Sequence, residues 1–384
     1  MDRNLLEVDP VELALPRTSL AVAVEVLVHG PQSRARLAER MNLSPASLTR
    51  LVKPLLAAGV LVEADPVRDS VLGRSSLLLD VVDDYRFVGI KLTSDTAYGV
   101  LTDHRARVLD TSSTDLSSSD AADVVSAIRG LVDTLKPSDG QPLDGLGISV
   151  GGKVENGRVV DSRYLGWRDM PLQDLVAAEL RLPAYVGNDV VGLTNAEHWF
   201  GWGRGYPDFA LLTVGAGIGY GLVLGDRLVP TETGPVGHLP IDPGGPVCSA
   251  GHRGCLAAYA TIASMTAAAS LGHRSRLDFA EVVDLARADD PIASRVLGDA
   301  AWAVGRAASI ISDVTSVRRV ILSGEAVVIA EVAAASFDAG LREYRPEGTP
   351  PVDVVVQPAD FFEWARGAAV VAIQREFPRG RRDR

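Results

Sequence analysis

Cysteine is scarce in this sequence, with 2 residues in 384. So few cysteines argue against a disulfide-stabilised secreted protein and favour a reducing compartment. The first residues also lack the basic segment and apolar core of a signal peptide, and no apolar run approaches the roughly 18 to 20 residues that a membrane helix requires. We therefore predict a cytoplasmic protein without a membrane partner.

Net positive charge is also lacking, since 38 Lys and Arg residues stand against 49 Asp and Glu, for a formal charge of -11. An acidic protein is normally a poor partner for nucleic acid, because phosphates require a positive surface. The segment 33–53 is an exception, with five positive side chains and one acidic one, Glu39. It predicts a basic patch, with a solvated helical face as the alternative. The positive residues are Arg34, Arg36, Arg40, Arg50 and Lys53.

The rest of the composition is typical of a globular protein. Hydrophobic residues make up 47% of the chain and charged residues 23%, which is enough apolar material for sizeable cores. At roughly 100 to 200 residues per domain, the length predicts two or three domains.

Two short helices separated by a tight turn are predicted between Ser33 and Lys53. Ser33 is suited to cap the first helix, and Asn42-Leu43 forms the turn. Ser44-Pro45 opens the second helix with a capping side chain and a proline at the first helical position. This arrangement is a helix-turn-helix, whose second helix lies in the major groove of DNA. The residues predicted to contact bases and phosphates are Ser44, Ser47, Thr49, Arg50 and Lys53.

A wing is predicted after these helices. A strand over 60–64 is followed by a polar loop with Arg68 and by a second strand that begins near Gly73-Arg74. Residues 1–80 are therefore predicted to be a winged helix-turn-helix domain that binds double-stranded DNA, with Arg68 and Arg74 as further contacts. A protein-interaction module is the alternative. Pro54 is expected to bend or end the second helix, because proline removes a helical hydrogen bond.

From Tyr85 onward, short β-rich runs alternate twice with helical ones, which predicts an α/β fold. Three glycine-marked segments follow in a fixed order: Asn188-Asp189 after a strand, the turn over 215–221, and Gly237-His238 leading to Gly254-Cys255. With that order and spacing, the chain resembles the ROK family of repressors, open reading frames and sugar kinases.

The resemblance implies a two-lobed, actin/hexokinase-like α/β body behind the winged helix. The first lobe is expected at 81–190, completed by a C-terminal helix over 358–376. The second lobe is expected at 191–357, with a degenerate zinc-type loop.

The resemblance also places kinase chemistry on Asp189, which matches the family's catalytic base. The phosphate-binding side departs from the family pattern. Lys91 and its neighbours replace a glycine-rich turn, Ala216 replaces a threonine, and Glu325 replaces a glycine of the adenosine turn. Asp189 is therefore predicted to be vestigial and the protein not to be an enzyme.

The sugar-binding side matches the family in part. Asn188, Asp189 and His238 keep sugar-contacting positions, whereas an asparagine is replaced by Tyr164 and two glutamates are lost. Either the pocket takes a different ligand, with Tyr164 as an aromatic face, or the body is a dimerisation scaffold. The residues predicted to bind a ligand are Gly152, Tyr164, Asn188, Asp189 and His238.

Members of the ROK family often hold a structural zinc with the spacing His-x9-Cys-x-Cys-x4-Cys. His238, Cys248 and Cys255 keep this spacing, but the middle ligand is Ala250. Structural zinc requires four closed ligands, so we predict no bound cofactor. A weak zinc site at these three residues, with His252 as a substitute ligand, is the alternative.

The combined prediction is a sequence-specific DNA-binding transcriptional regulator, a repressor, linked to carbohydrate metabolism. It would bind a palindromic operator as a homodimer or higher homo-oligomer and sense a carbohydrate-related or other small effector. Two alternatives stay open: an ATP-dependent sugar kinase, and a scaffold that binds DNA without a ligand.

Overall fold

The computed structural model describes residues 15–68, 75–138, 140–231, 235–358 and 360–379. Contacts between residues divide the chain into two units. Unit 1 contains the described residues of 1–204 and of 361–384, and unit 2 contains those of 205–360. In the parts of the chain just named, every helix is too short or too polar to span a membrane.

Unit 1 begins with three helices and a small antiparallel sheet, which we call the N-terminal head (residues 17–81). Leu27, Leu37, Leu48 and Leu79 are fully buried in one apolar core. The strands lie in the order β1-β3-β2. The elements are α1 (Arg17–His29), β1 (Gln32–Ser33), α2 (Arg34–Arg40), α3 (Pro45–Ala57), β2 (Leu61–Arg68) and β3 (Ser75–Val81).

The start of α3 follows from its local sequence. The Ser44 hydroxyl accepts a hydrogen bond from the Ser47 amide at 3.1 Å, and Pro45 stands in the first turn, where its missing N–H costs no helical bond. Pro54 lies inside the helix, which continues to Ala57, so the expectation that the helix ends at Pro54 is wrong. The apolar face is buried as the helical period predicts, at Leu48, Val52 and Leu55.

A five-stranded sheet in the order β11-β7-β4-β5-β6 forms the rest of unit 1. The strands β4, β5 and β6 are antiparallel neighbours, whereas β7 and β11 run parallel to β4. The strands are β4 (Arg86–Leu92), β5 (Thr96–Asp103), β6 (Val108–Asp115), β7 (Gly145–Val150) and β11 (Ala184–Asn188), and a smaller sheet contains β8 (Lys153–Glu155), β9 (Arg158–Ser162) and β10 (Trp167–Met170). The helices are α4 (Ala121–Thr134), α5 (Leu172–Leu180), α6 (Asp189–Phe200) and α13 (Phe361–Glu376).

Helix α13 crosses this sheet at a distance that only glycine permits. A Cβ atom added at Gly89 would lie 2.0 Å from the main-chain oxygen of Ala365, and one at Gly147 would lie 1.8 Å from that of Ala368. The C-terminal helix therefore belongs to the first sheet. Trp199 of α6 and Phe377 after α13 share an apolar cluster with the core of the N-terminal head.

Unit 2 repeats the same strand order and directions, β14-β13-β12-β15-β16, around the central strand β12. Its longest helix, α10, contributes many of the buried residues of the unit 2 core. The strands are β12 (Phe209–Val214), β13 (Ile218–Leu224), β14 (Arg227–Val229), β15 (Arg319–Ser323) and β16 (Asp353–Val356). The helices are α7 (Leu256–Ala260), α8 (Ile262–His273), α9 (Phe279–Arg287), α10 (Pro291–Thr315), α11 (Ile329–Val332) and α12 (Ala334–Arg342).

Each unit is thus a mixed α/β body on the same sheet topology. Helix α6, which the sequence interpretation assigned to the second lobe, lies in unit 1 because it packs against α13. The two units meet in the chain at Arg204 and Gly205.

Candidate functional site

Three exposed cations lie on the two helices proposed to meet DNA. Arg36 is on α2, and Arg50 and Lys53 are on α3. Their side chains have no hydrogen-bond or ion-pair partner within the described ranges. A cation that is exposed and unpaired is available to a phosphate or a base edge.

The other two arginines of the predicted basic patch are engaged within the head. Arg34 lies 2.7 Å from the carboxylate of Glu63 on β2. Arg40 donates at 2.6 Å to Glu25, a carboxylate of α1 that is 4% exposed. Because Glu63 and Glu25 neutralise these two arginines, the cations that are free to contact DNA are the three named above, Arg36, Arg50 and Lys53.

The hydroxyl groups predicted to contact DNA have partners in α3 itself. Ser44 donates to the Ser47 hydroxyl at 2.9 Å, and Thr49 donates to the main-chain oxygen of Pro45 at 2.9 Å. Ser44 and Thr49 are exposed, so each oxygen can still accept a bond from outside. Of the two predicted wing arginines, Arg74 lies outside the described residues, as does the side chain of Arg68.

The start of α6 brings two predicted ligand residues together. Asn188 is the N-cap of α6, because its side-chain oxygen accepts a hydrogen bond from the Val191 amide at 3.1 Å. Its side-chain nitrogen donates to the Gly152 oxygen at 2.8 Å. Asp189 is the first helical residue, and its Oδ1 accepts from the Val190 amide at 2.9 Å. Both polar atoms of the Asn188 side chain therefore bond to main-chain atoms, and they hold the loop at Gly152 against the start of α6.

A buried ion pair fixes the other oxygen of Asp189. The ammonium of Lys91, on β4, donates to Asp189 Oδ2, and the two side chains are 7% and 13% exposed. The ammonium also lies 5.2 Å from the centre of the Trp364 ring on α13, in a cation–π contact. Both carboxylate oxygens of Asp189 therefore accept a hydrogen bond from within unit 1.

Tyr164 borders this ion pair. A Cβ atom added at Gly151 would lie 2.9 Å from the Tyr164 ring and 3.4 Å from Asp189 Oδ2. The ring is 49% exposed. The predicted ligand residues Gly152, Tyr164, Asn188 and Asp189 therefore lie together in unit 1, whereas His238 lies in unit 2.

In unit 2, a carboxylate covers the glycine-rich turn. A Cβ atom at Gly215 would lie 1.7 Å from Glu325 Oε2, so the acid lies directly against the turn. The Gly215 amide donates to the Gly217 oxygen at 3.0 Å, which closes the turn on itself. A negative group and an occupied amide both oppose phosphate binding, because phosphate requires free N–H donors and positive charge.

His238, Cys248, His252 and Cys255 form a four-residue cluster, which we call the His–Cys cluster. One ligand atom from each lies within 4.8 Å of the other three, and Cys248 Sγ lies 3.6 Å from His238 Nδ1. The bridges Pro240–Cys255 and Val247–Arg253 hold the loop in this shape.

Two imidazoles and two thiols fit a tetrahedral zinc ion. Zinc bonds of about 2.0 to 2.3 Å separate neighbouring ligand atoms by roughly 3.3 to 3.8 Å, and the 3.6 Å contact lies in that range. Burial opposes ionisation of both thiols. Main-chain hydrogen bonds at Ala250 and His252 nevertheless lower the pKa of Cys248, while burial and Cys248 raise the pKa of Cys255. These directions favour ionisation of Cys248 over that of Cys255.

The sequence interpretation missed the contact between Lys91 and Asp189. The signal was present as a charged residue between two apolar ones in β4, Ile90 and Leu92. A buried lysine requires a partner, but the sequence alone could not identify a carboxylate 98 positions away.

Two α/β units on one repeated sheet topology, with a helical head before the first, make this a mixed α/β protein. The model of the ROK family matches residues 87–375, and the chain belongs to that family. The matched range excludes the head.

Named relatives of this chain are repressors. The xylose repressor of Bacillus spizizenii is 25% identical over 277 residues, which are 69% of this chain and 71% of the relative. The DNA-binding transcriptional dual regulator NagC of Escherichia coli is 23% identical over 337 residues, 83% of each chain.

Solved structures show the same fold. A ROK family transcriptional regulator, described as a homologue of the E. coli MLC protein, has a TM-score of 0.76 at 22% identity and covers 97% of this chain and 98% of its own. A ROK family glucokinase from Streptomyces griseus has a TM-score of 0.65 at 23% identity and covers 75% of this chain and 99% of its own. The regulator's match extends over more of this chain than that of the kinase, and the prediction of a regulator agrees with the named relatives.

Proposed function

We propose that this protein is a sequence-specific DNA-binding transcriptional repressor linked to carbohydrate metabolism. The observation that carries the proposal is the position of Arg50 and Lys53, which are exposed and without a partner in the described part of the chain. They lie on a helix that follows a tight turn, as in a helix-turn-helix. The named relatives support the same function.

In this proposal the N-terminal head is a winged helix-turn-helix. Helix α2 and the turn at Asn42 position α3 as the recognition helix, and β2 and β3 are the strands of the wing. Arg50 and Lys53 contact bases or phosphates, with Ser44, Ser47 and Thr49 as polar contacts. We add Arg36 as a proposed phosphate contact, because it is exposed and has no side-chain partner among the described residues. Arg68 and Arg74 remain proposed contacts of the wing.

The same proposal makes the body a sensor without kinase activity. Asp189 is paired with Lys91, and Glu325 lies over the glycine-rich turn. The first contact removes the free carboxylate that a phosphoryl acceptor requires, and the second opposes the nucleotide phosphates. We propose that Gly152, Tyr164, Asn188 and Asp189 border an effector site in unit 1, with Asn188 acting through the loop that it holds.

The effector class follows by analogy with the relatives, one of which is named for xylose and others for N-acetylglucosamine. We further propose a homodimer on a palindromic operator, because two linked recognition helices match a two-fold DNA site. An effector that changes operator affinity must itself bind with an affinity that depends on the operator.

We also propose a structural zinc at the His–Cys cluster. The ion would hold the loop 238–255 by four ligands from one short segment. Zinc in such a site supplies folding stability rather than chemistry.

Selection of duplexes from genomic fragments by the purified chain, followed by mobility shift against excess random duplex, tests the function. We expect a palindromic site whose affinity exceeds that for random duplex by at least about 10³-fold. Binding to all duplexes with equal affinity contradicts the proposal. Release of ADP from Mg-ATP with any common hexose would favour the kinase instead, and operator binding with no response to any sugar would favour the scaffold.

A further inference from the structure

The two thiols of the chain lie in one loop of unit 2. The sequence contains 2 cysteines in 384 residues, and both belong to the His–Cys cluster. Their Sγ atoms lie within 4.8 Å of each other, and both are free thiols. Oxidation within one molecule can therefore form only one sulfur–sulfur bond, the bond between Cys248 and Cys255.

Main-chain contacts hold the two cysteines close before any bond forms. The Cys248 amide donates to the His252 oxygen at 2.8 Å, and the Gly251 amide donates to the Cys248 oxygen at 2.9 Å. The bridge between Pro240 and Cys255 fixes the backbone of the other cysteine. A disulfide here would close a short loop whose backbone is already folded, so its formation costs little chain entropy.

The two sulfurs differ in their access to solvent. Cys248 is 8% exposed and opens a turn whose residues 249–253 are all exposed. Cys255 is 2% exposed and is followed by Leu256, which is buried in the core of unit 2. Because oxidation follows exposure, a small oxidant dissolved in water meets Cys248 first.

A hydroperoxide supplies the oxidation that joins the two sulfurs. The Cys248 Sγ attacks one oxygen of the hydroperoxide, the O–O bond breaks, and a sulfenic acid forms while the other oxygen leaves as water or an alcohol. The Cys255 Sγ then attacks the Cys248 sulfur, and the S–O bond breaks with loss of water. Each departing oxygen takes up the proton of one thiol, or a proton from solvent where that sulfur is already a thiolate. The thiols lose two electrons in total, and the hydroperoxide gains them.

Disulfide formation and metal binding exclude each other in this loop. Zinc binds cysteine as a thiolate, and a sulfur in a disulfide is no longer one. In the family spacing a third cysteine stands at the position of Ala250, and it would keep one thiolate after the other two had paired. In this chain the disulfide uses every thiol and leaves only His238 and His252 of the four ligands that a structural zinc requires.

We infer that Cys248 and Cys255 form a reversible oxidation site, at which a hydroperoxide oxidises Cys248 and Cys255 resolves the product as an internal disulfide. The inference goes beyond the proposed repressor function and does not depend on DNA binding. Where the proposed zinc is bound, the same reaction removes both of its thiolate ligands.

Treatment of the full-length protein with hydrogen peroxide, after purification without chelator, tests the inference. We expect the mass of the intact chain to fall by one hydrogen for each thiol, and a peptide map to join Cys248 to Cys255. Dithiothreitol should restore both thiols. The inference is overturned if both thiols stay reduced at peroxide concentrations that oxidise the urea-unfolded chain. A disulfide between two chains, or sulfinic acids without a disulfide, overturns it as well.

Single variants test the order of attack. In Cys255→Ser the sulfenic acid of Cys248 has no internal thiol to resolve it, so its dimedone adduct should accumulate. In Cys248→Ser the remaining thiol is the more buried one, and peroxide should oxidise it at least about ten-fold more slowly. Equal oxidation rates of these two variants would overturn the assignment of Cys248 as the attacking sulfur. Ser249→Ala, at an exposed position of the same turn, is the matched control and should form the disulfide as fast as the wild type does.

Zinc measured in the same samples separates this inference from the proposed metal site. If the purified protein carries zinc, a chromogenic chelator should detect zinc release in proportion to the disulfide formed. Retention of zinc by the oxidised protein would show that the two forms do not exclude each other, and would overturn that part of the inference. If the purified protein carries no zinc but forms the disulfide, the metal site fails and the oxidation site stands.

Discussion

Arg105 donates from its guanidinium to the main-chain oxygen of Leu27, 3.2 Å away, and so joins the turn between β5 and β6 to the last turn of α1. The same guanidinium pairs with Asp80 at the end of β3. Arg204 reaches the oxygen of Val28 at 3.5 Å. Cations at a helix C-terminus satisfy carbonyls that lack helical partners and favour the helix dipole. The hydrogen bonds and the ion pair of Arg105 therefore hold the N-terminal head against the five-stranded sheet of unit 1.

We predict that Arg105→Ala lowers the free energy of unfolding of the full-length protein by about 2 kcal/mol, because charged hydrogen bonds of about 1.5 to 3 kcal/mol are lost from a side chain that is 12% exposed. Chemical denaturation measures the change. Arg107→Ala, which removes an exposed arginine two positions away, is the control and should stay within about 0.5 kcal/mol of the wild type. If both substitutions changed the free energy of unfolding equally, the proposed role of Arg105 in holding the head would be wrong.

The second prediction concerns α3, the proposed recognition helix. Lys53→Ala should weaken binding to operator and random duplex alike and reduce the slope of log affinity against log salt by about 1, because one phosphate contact releases about one counterion. If Arg50 contacts a base, Arg50→Ala should weaken binding to the operator by about 1 to 3 kcal/mol and should weaken binding to random duplex much less. Mobility shifts across a salt series check both.

Arg276→Ala gives the matching charge change at an exposed site of unit 2. It should leave both affinity and salt slope unchanged. If Arg276→Ala lowered the affinity for DNA as much as Lys53→Ala does, the total charge of the protein, and not the surface of α3, would control binding.

The third prediction is a double-mutant cycle on the Lys91–Asp189 pair. Asp189→Leu alone should destabilise the protein by about 3 to 5 kcal/mol, since it leaves a buried ammonium without its carboxylate. The double variant Lys91→Met with Asp189→Leu should recover most of that loss, because two apolar side chains of similar size need no partner. Additive losses in the cycle would show that the two residues contribute independently.

The fourth prediction concerns His252. We expect the protein purified without chelator to contain one zinc per chain, and His252→Ala to lose most of it, along with several degrees of unfolding temperature. His273→Ala, at a histidine that lies 3.0 Å from Asp290 outside the His–Cys cluster, should keep the zinc. Elemental analysis measures the zinc content of both variants, and thermal unfolding measures their unfolding temperatures. A metal-free wild type, with Cys248 and Cys255 both free to react with a thiol reagent, would contradict the site.

The fifth prediction follows from His104, which is 1% exposed beside Asp83 at 3.2 Å. Burial and then Arg105 lower the pKa of His104 from its usual 6.5, against the opposing pull of nearby acids. Below pH 6.5 the unfolded chain therefore binds a proton that the folded chain does not, so stability falls as the pH decreases through that value. His104→Phe should reduce this acid-side loss, as urea titrations at several pH values would show. An unchanged pH slope would contradict this assignment.

Much of the fold was accessible to sequence interpretation because its signals are local. Ser44-Pro45 predicted where α3 begins, because an N-cap side chain and a proline in the first turn act on neighbouring residues. The order of the glycine-marked segments was specific enough to indicate the family. The helix does not end at Pro54, since packing of α3 in the head core sustains a helix that local propensity disfavours.

Residue type and short spacing were enough to predict the α/β class, the starts of α2 and α3, and the candidate residues. The tertiary structure alone decided which charges meet. It brought Lys91 to Asp189, Glu325 to Gly215 and His252 into the His–Cys cluster. Such contacts join distant segments or depend on the course of a loop, and a buried charge is defined by what folding places around it, which local patterns do not encode.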